Sequence, residues 1–243
     1  MKCIFLAAGF GRRLFPFTED FPKCLYKIDG KAPLTYLIED IDDAAERFII
    51  ASNHIYWALF ELWTQRRGYI VIDNGVREAD RRLGAVTDLA NAIRKQRIDD
   101  DVLAIAPENM VDFSLQTFLK FAKDKGTSCV MYYEEEDEER LYKANVITAL
   151  EGDRIVGVEN MKKVPSSNLL IPPFYYFARK DVPLIKKAIE EGIDVFSMGS
   201  LICWMSEHTT LHAMRMPGKR YEISDFKTWT QAKRNYRGIV PQT

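Results

Sequence analysis

The stretch Leu6-Ala7-Ala8-Gly9-Phe10-Gly11-Arg12-Arg13-Leu14 decides how this chain is read. It follows the apolar run Cys3-Ile4-Phe5, so a buried strand enters a turn with two glycines and leaves it through two arginines. Glycine lets the backbone turn sharply and brings amide N–H groups close to a ligand. Arginine holds phosphate oxygens with a two-pronged fork. Ten residues beyond Arg13, Lys23 follows Pro22, whose ring fixes the local chain. Backbone donors, a fork and a point charge are together what a triphosphate requires. The run has neither the G-x-x-x-x-G-K-[ST] spacing of a P-loop nor the G-x-G-x-x-G spacing of a dinucleotide turn. Its opening also imitates a secretory leader, but the apolar run is short and lacks a small-residue cleavage pattern.

Outward from this stretch, apolar runs alternate with amphipathic ones. Strands are expected at residues 3–8, 48–51, 69–72, 101–106 and 129–133, and helices at 34–47, 56–67, 85–92 and 115–125. This alternation predicts an α/β fold with a doubly wound, mostly parallel sheet. Ligands bind such sheets beyond the carboxyl ends of the strands, where Gly9 and Glu108 both fall. The second half is richer in strands, at 145–150, 154–158, 174–177 and 210–214, with a helix at 182–191. The expected organisation is one domain over 1–243. Its nucleotide-binding half is 1–133, its acceptor-binding half 134–236, and its tail 237–243. The acidic run at 134–139 reads as a solvated loop or helix start.

Composition narrows the class. The 243 residues are 47% hydrophobic and 28% charged, with a net charge of −1, which calls for neither a nucleic-acid nor a membrane surface. No apolar stretch is long enough to span a bilayer, and a cytoplasmic protein is expected. Cys3, Cys129 and Cys203 sit in apolar runs, whereas Cys24 follows a lysine in a loop and is expected to be more accessible. His208 and His212 are four apart, but the intervening residues look like a strand, so the pair reads as structural.

The longer pattern adds specificity. Gly9-x-Gly11-x-Arg13-Leu14, then Pro16, Thr18, Pro22-Lys23 and Gly30-Lys31, resembles the N-terminal signature of the sugar-phosphate nucleotidyltransferases. Residues 82–89 are similar to the segment that contacts the nucleobase in glucose-1-phosphate thymidylyltransferases. Residues 102–115 resemble the strand and turn carrying that family's G-D-N. Gly199-Ser200 and Tyr221-Glu222-Ile223-Ser224-Asp225 resemble its later landmarks. The resemblance implies a Rossmann-like nucleotidyltransferase fold and a reaction in which a sugar 1-phosphate oxygen attacks the α-phosphorus of a nucleoside triphosphate, releasing pyrophosphate. Such chemistry needs no general base, because the attacking phosphate is already ionised; alignment and charge neutralisation carry it. Arg13 and Lys23 are then the expected catalytic residues. Leu6, Ala8, Gly9, Gly11, Arg12, Arg13, Gly84 and Ala85 are the expected nucleotide contacts, and Asn145 and Lys162 the acceptor contacts. Mg²⁺, or Mn²⁺ in its place, would complete the neutralisation.

The chain departs from that pattern at several positions. The family's two metal aspartates are replaced by Glu108 and Glu222, each longer by one methylene. Pro107 stands for a glycine, Arg12 for a small hydroxyl residue, and Asn145 for a glycine. The family's acceptor-side lysine has no unique match: Met161 falls in register, with Lys162 and Lys163 beside it. Two other readings compete. A cytidylyltransferase for phosphocholine or a similar phosphorylated alcohol would use Tyr175, Tyr176, Phe177 and Trp204 as a cation–π box, although apolar alternation explains those rings as core. A nucleotide-binding homologue without turnover would bind triphosphate and release no pyrophosphate. The expected partners are a nucleoside triphosphate and a phosphorylated small molecule, and a homo-oligomer is compatible with the pattern.

Overall fold

The computed structural model describes residues 1–65, 67–142, 145–160 and 166–239. Lys162, together with Met161 and Lys163, lies outside the described residues. Along the chain run β1 (Lys2–Leu6), α1 (Pro33–Ile41), β2 (Arg47–Ser52), α2 (His54–Thr64), β3 (Ile70–Asp73), α3 (Ala85–Lys95), β4 (Val102–Ile105) and β5 (Asn109–Val111). There follow α4 (Gln116–Lys125), β6 (Ser128–Glu134), α5 (Glu138–Leu141), β7 (Asn145–Glu151), β8 (Arg154–Asn160), β9 (Leu169–Leu170) and β10 (Phe174–Phe177). The chain continues through α6 (Val182–Glu190), α7 (Met198–His208), β11 (Leu211–Arg215), β12 (Arg220–Glu222) and α8 (Phe226–Asn235).

One sheet takes strands from both halves of the chain, in the order β11-β8-β7-β9-β6-β10-β4-β1-β2-β3. The registers show β1, β2, β3, β4, β6, β7 and β11 running one way and β8, β9 and β10 the other. Alternation of side chains builds two cores. On β1, Cys3 and Phe5 join a cluster with Leu37 and Ile41 of α1, Phe60 of α2 and Phe118 of α4. Ile4 points the other way, toward Leu89 of α3, Ile185 of α6 and Leu201 and Met205 of α7. Helices therefore cover both faces of the sheet, the doubly wound arrangement that the alternating pattern predicts. A third, smaller cluster joins Leu14, Ile28, Met110, Ile223, Ala232 and Tyr236, pinning α8 over the segment after β1.

Some expectations need correction. The helix expected at 34–47 ends at Ile41, because the chain must turn through Asp42 and Asp43 to start β2 at Arg47 beside β1. Cys24 is buried, not accessible, and burial with the nearby Glu108 carboxylate pushes its thiol well up. Cys203 is the half-exposed cysteine instead. The acidic run ends β6 and opens α5, where Asp137 caps the helix through the amides of Glu139 and Arg140. His208 closes α7, stacked on Trp204, while His212 sits on β11 beside Thr127 at 2.7 Å, so no shared metal site joins them. Among the described residues, no helix is long and apolar enough to cross a membrane.

Candidate functional site

In the sheet, β1 has β2 on one side and β4 on the other, both parallel to it. The order β4-β1-β2-β3 changes direction between β1 and β4, and a crevice opens at the carboxyl ends of strands at such a point. Gly9 follows β1 and Glu108 follows β4 there. The crevice holds three neighbouring cavities.

A cavity of about 300 Å³ is lined by Leu6, Ala8, Gly9, Arg82, Gly84, Ala85, Asp88, Glu108, Tyr175 and Phe196, among others. Five of the eight expected nucleotide contacts, separated in sequence by more than seventy residues, thus meet on one wall. Gly9 leaves that wall open, since a Cβ there would meet nothing within 4 Å. A small cavity of about 30 Å³, room for about one water, lies between Gly9, Pro22, Lys23, Cys24 and Glu108. In it Lys23 Nζ donates to Glu108 Oε1 at 2.7 Å, with both side chains mostly buried. The third cavity, about 640 Å³, shares Tyr175 and Pro173 with the first and carries Arg13, Arg140, Arg220, Lys227, Glu222 and Asp225. Arg13 therefore faces the large cavity, not the one that Gly84 lines. Arg12 is exposed and lines none of the three. Gly11 sits at φ +60° with its carbonyl accepting from Thr18 Oγ1 at 2.8 Å.

Sequence reasoning missed the residues that hold the loop. Asn53, fully buried after β2, donates from Nδ2 to the Ala8 carbonyl at 3.1 Å and accepts from the Tyr56 amide, capping α2. The Tyr56 hydroxyl donates to the carbonyls of Phe10 and Thr18. An asparagine between an apolar strand and an amphipathic run is an N-cap signal, so this anchor was findable. Asn53→Ala removes both bonds and strands a buried carbonyl. It is expected to cost about 2 kcal/mol in urea denaturation and to weaken triphosphate binding; unchanged stability would show the loop to be held otherwise.

The backbones that carry the two expected metal carboxylates come side by side only through the fold. β12 pairs antiparallel with β5, placing Glu222 opposite Asn109, and the Ile223 amide donates to the Glu108 carbonyl at 2.9 Å. Their carboxyl groups open on different cavities. Glu108 is paired with Lys23, while Glu222 accepts from Arg220 at 3.0 Å. Arg220 is itself tied to Asn109 Oδ1 at 2.6 Å and the Tyr133 hydroxyl at 2.9 Å. Among the described residues, no group of three or more His, Cys, Asp or Glu is placed to hold a metal ion. Two hard carboxylates fit Mg²⁺, which commonly takes one or two protein carboxylates and completes its shell with waters and substrate phosphates. The fit is to an ion brought by a polyphosphate, since each carboxylate here already has its own cation.

Asp225 caps α8 with Thr228 in a reciprocal box. Although burial opposes it, the Thr228 amide and hydroxyl and the nearby Arg13 hold the Asp225 carboxyl below its ordinary range. Phe17, from the segment after β1, meets Phe226 and Trp229 of α8 edge-on at 5.6 and 5.8 Å. α8 thereby ties Arg13 to the large cavity. Asn145 opens β7 opposite Asn160, whose Nδ2 donates to Ser200 at 2.6 Å. Tyr175, Tyr176, Phe177 and Trp204 form no box: Tyr175 reaches the cavities, Tyr176 donates to Asp101, and Trp204 donates to Glu191.

A doubly wound sheet with an open glycine turn and a mostly buried lysine at its switch point, and Arg13 on the neighbouring cavity, is the build of a phosphate-transferring, nucleotide-handling enzyme. The chain matches the nucleotidyl transferase family over residues 2–195, and it belongs to that family. It is 26% identical over 181 residues to the UTP–glucose-1-phosphate uridylyltransferase AglF of Haloferax volcanii, covering 73% of this chain and 72% of that protein. Over a short stretch of 44 residues, 18% of this chain and 17% of the other, it is 48% identical to the CTP:phosphoglutamine cytidylyltransferase of Campylobacter jejuni. It spans under half the length of two longer relatives, 42% and 49%. The fold superposes on an apo UDP-glucose pyrophosphorylase with a TM-score of 0.80 at 16% identity, covering 96% of each chain.

Proposed function

We propose that this protein joins a nucleoside triphosphate to a sugar 1-phosphate, giving a nucleotide sugar and pyrophosphate. The observation that carries the reading is the convergence of Gly9, Lys23 and Glu108 on the small cavity, which shares Leu6, Gly9 and Glu108 with the 300 Å³ cavity beside it. In this reading residues 1–133 hold the nucleotide and residues 134–236 most of the acceptor. The nucleoside occupies the smaller cavity against Gly84 and Ala85. The acceptor occupies the larger one, and Asn145 and Lys162 are the acceptor contacts this reading assigns.

The chain's own groups then have distinct tasks. Amides of residues 9–13 face the triphosphate, and Arg13 neutralises its outer phosphates from the α8 side. Lys23, drawn from Glu108 to the incoming phosphates, bridges the attacking oxygen and the α-phosphate, lowering the repulsion between two anions. Glu108 and Glu222 would hold the Mg²⁺, which supplies further neutralisation of the polyphosphate when bound.

The test is a panel of four triphosphates against sugar 1-phosphates and phosphocholine, with Mg²⁺ or Mn²⁺, scored by pyrophosphate release. Turnover with a sugar 1-phosphate is expected, and its loss in Arg13→Ala. Turnover with phosphocholine alone would move the acceptor reading to a phosphorylated alcohol. Binding without any pyrophosphate would leave a nucleotide-binding homologue. Metal dependence unchanged in both Glu108→Ala and Glu222→Ala would remove the two-glutamate site.

A further inference from the structure

Asp88 stands in the first turn of α3 and lines the 300 Å³ cavity together with Gly84 and Ala85. It is 7% exposed, unusual for a carboxylate that makes no salt bridge to the described residues. Among the described residues its one side-chain partner is Asn74, in the turn after β3, whose Nδ2 donates to Asp88 Oδ1 at 2.9 Å. Asn74 cannot reverse its amide without loss, because its Oδ1 accepts from the Val76 amide at 2.9 Å. Asp88 Oδ1 is thereby held as an acceptor. Oδ2 accepts no hydrogen bond from the described residues.

Burial pushes the Asp88 pKa up to about 6 against the opposing Asn74 bond. Above neutral pH the group is a carboxylate, able only to accept. A buried, half-satisfied carboxylate on a cavity wall requires a donor from whatever fills the cavity, or it loses the desolvation cost of that oxygen. Arg82 and Phe196, 5.2 Å from guanidinium to ring centre, line the same cavity and offer flat surfaces to a ring. A flat ring with a donor at its edge suits such a wall.

We infer that Asp88 selects the nucleobase, taking a base whose edge carries an amino group in preference to one with a carbonyl at the same position. This rests on the proposed function, which puts the nucleoside in this cavity. Cytosine and adenine present an exocyclic N–H₂ there; uracil, thymine and hypoxanthine present an oxygen, which faces Asp88 Oδ2 with repulsion. A buried polar group left unpaired, or set against a like charge, discriminates far more strongly than a missing methylene.

The experiment is calorimetric titration of the full chain at pH 7.5 with two isosteric pairs, CTP against UTP and ATP against inosine triphosphate, without an acceptor. The tighter-binding pair is expected to favour its amino member by at least about tenfold, in keeping with one good base-edge contact. In Asp88→Asn the new amide keeps the Asn74 bond through its oxygen and offers N–H to a carbonyl, so the preference is expected to vanish or invert. Circular dichroism shows whether that variant is folded; Asp88→Ser, which can also donate, repeats the measurement if it is not. Equal binding of both members by the wild type, or a preference unmoved by both substitutions, overturns the inference and leaves the proposed function standing. Failure of these four, and of GTP and dTTP beside them, to bind overturns both together.

Discussion

Lys23→Ala is expected to lower kcat by about a thousandfold while changing the apparent affinity for triphosphate by less than tenfold. Removing one preorganised charge donor from a developing anion costs roughly two to three orders of magnitude. Here the loss is aggravated, because Glu108 accepts from Lys23 at 2.7 Å in a mostly buried setting. Without the lysine an unpaired carboxylate faces the incoming phosphates, where Coulomb repulsion is poorly screened. Under the proposed function Lys23 acts at the bridging position between attacking oxygen and α-phosphate, so the effect is expected to concentrate in kcat. Steady-state pyrophosphate release checks it. A change of less than threefold in kcat would place the bridging charge elsewhere, with Arg13 or Arg220 next in line.

Gly84→Ala is expected to destabilise the chain by about 3 kcal/mol or more and to abolish nucleotide binding. Gly84 has φ +97°, a conformation that side-chain-bearing residues rarely adopt, and it precedes α3 as its N-cap. An added Cβ would lie 2.4 Å from the Val195 carbonyl oxygen, a backbone atom that cannot swing aside. That same oxygen accepts from the Val86 amide at 3.0 Å, so relieving the clash breaks the bond that docks the start of α3. Gly9→Ala is the control. Its Cβ meets nothing within 4 Å and its φ is not positive, so stability should be kept while the wall facing the ligand is filled. Equal stability of Gly84→Ala and Gly9→Ala in urea would show that the close approach to Val195 is not maintained in solution.

Much of the scaffold was legible because its signals are local. β1, β4 and β10 read as apolar runs since both sheet faces are covered, and α1, α3, α4 and α6 carry apolar residues at helical spacing. α7 was overlooked although Met198, Leu201, Ile202 and Met205 keep that spacing, because Gly199-Ser200 in its first turn reads as loop. α8 was overlooked because it is mostly polar; only the Asp225–Thr228 cap and the Trp229, Ala232, Tyr236 stripe announce it. β5 and β12 are three residues each, too short for any period to register.

The glycine turn after β1 and the residue types suited to a polyphosphate were determined by the sequence alone, since turn geometry and side-chain chemistry are properties of neighbouring residues. The tertiary structure alone decided which distant residues share a wall. It set Lys23 against Glu108, turned Arg13 toward α8, tied Arg220 to Asn109 and Tyr133, and left Asp88 on a cavity wall with one oxygen bonded to Asn74. The physical reason is that strand pairing and helix docking bring these groups together across 14 to more than 100 residues. Their charges and hydrogen bonds acquire meaning only once burial removes the water that would otherwise satisfy them.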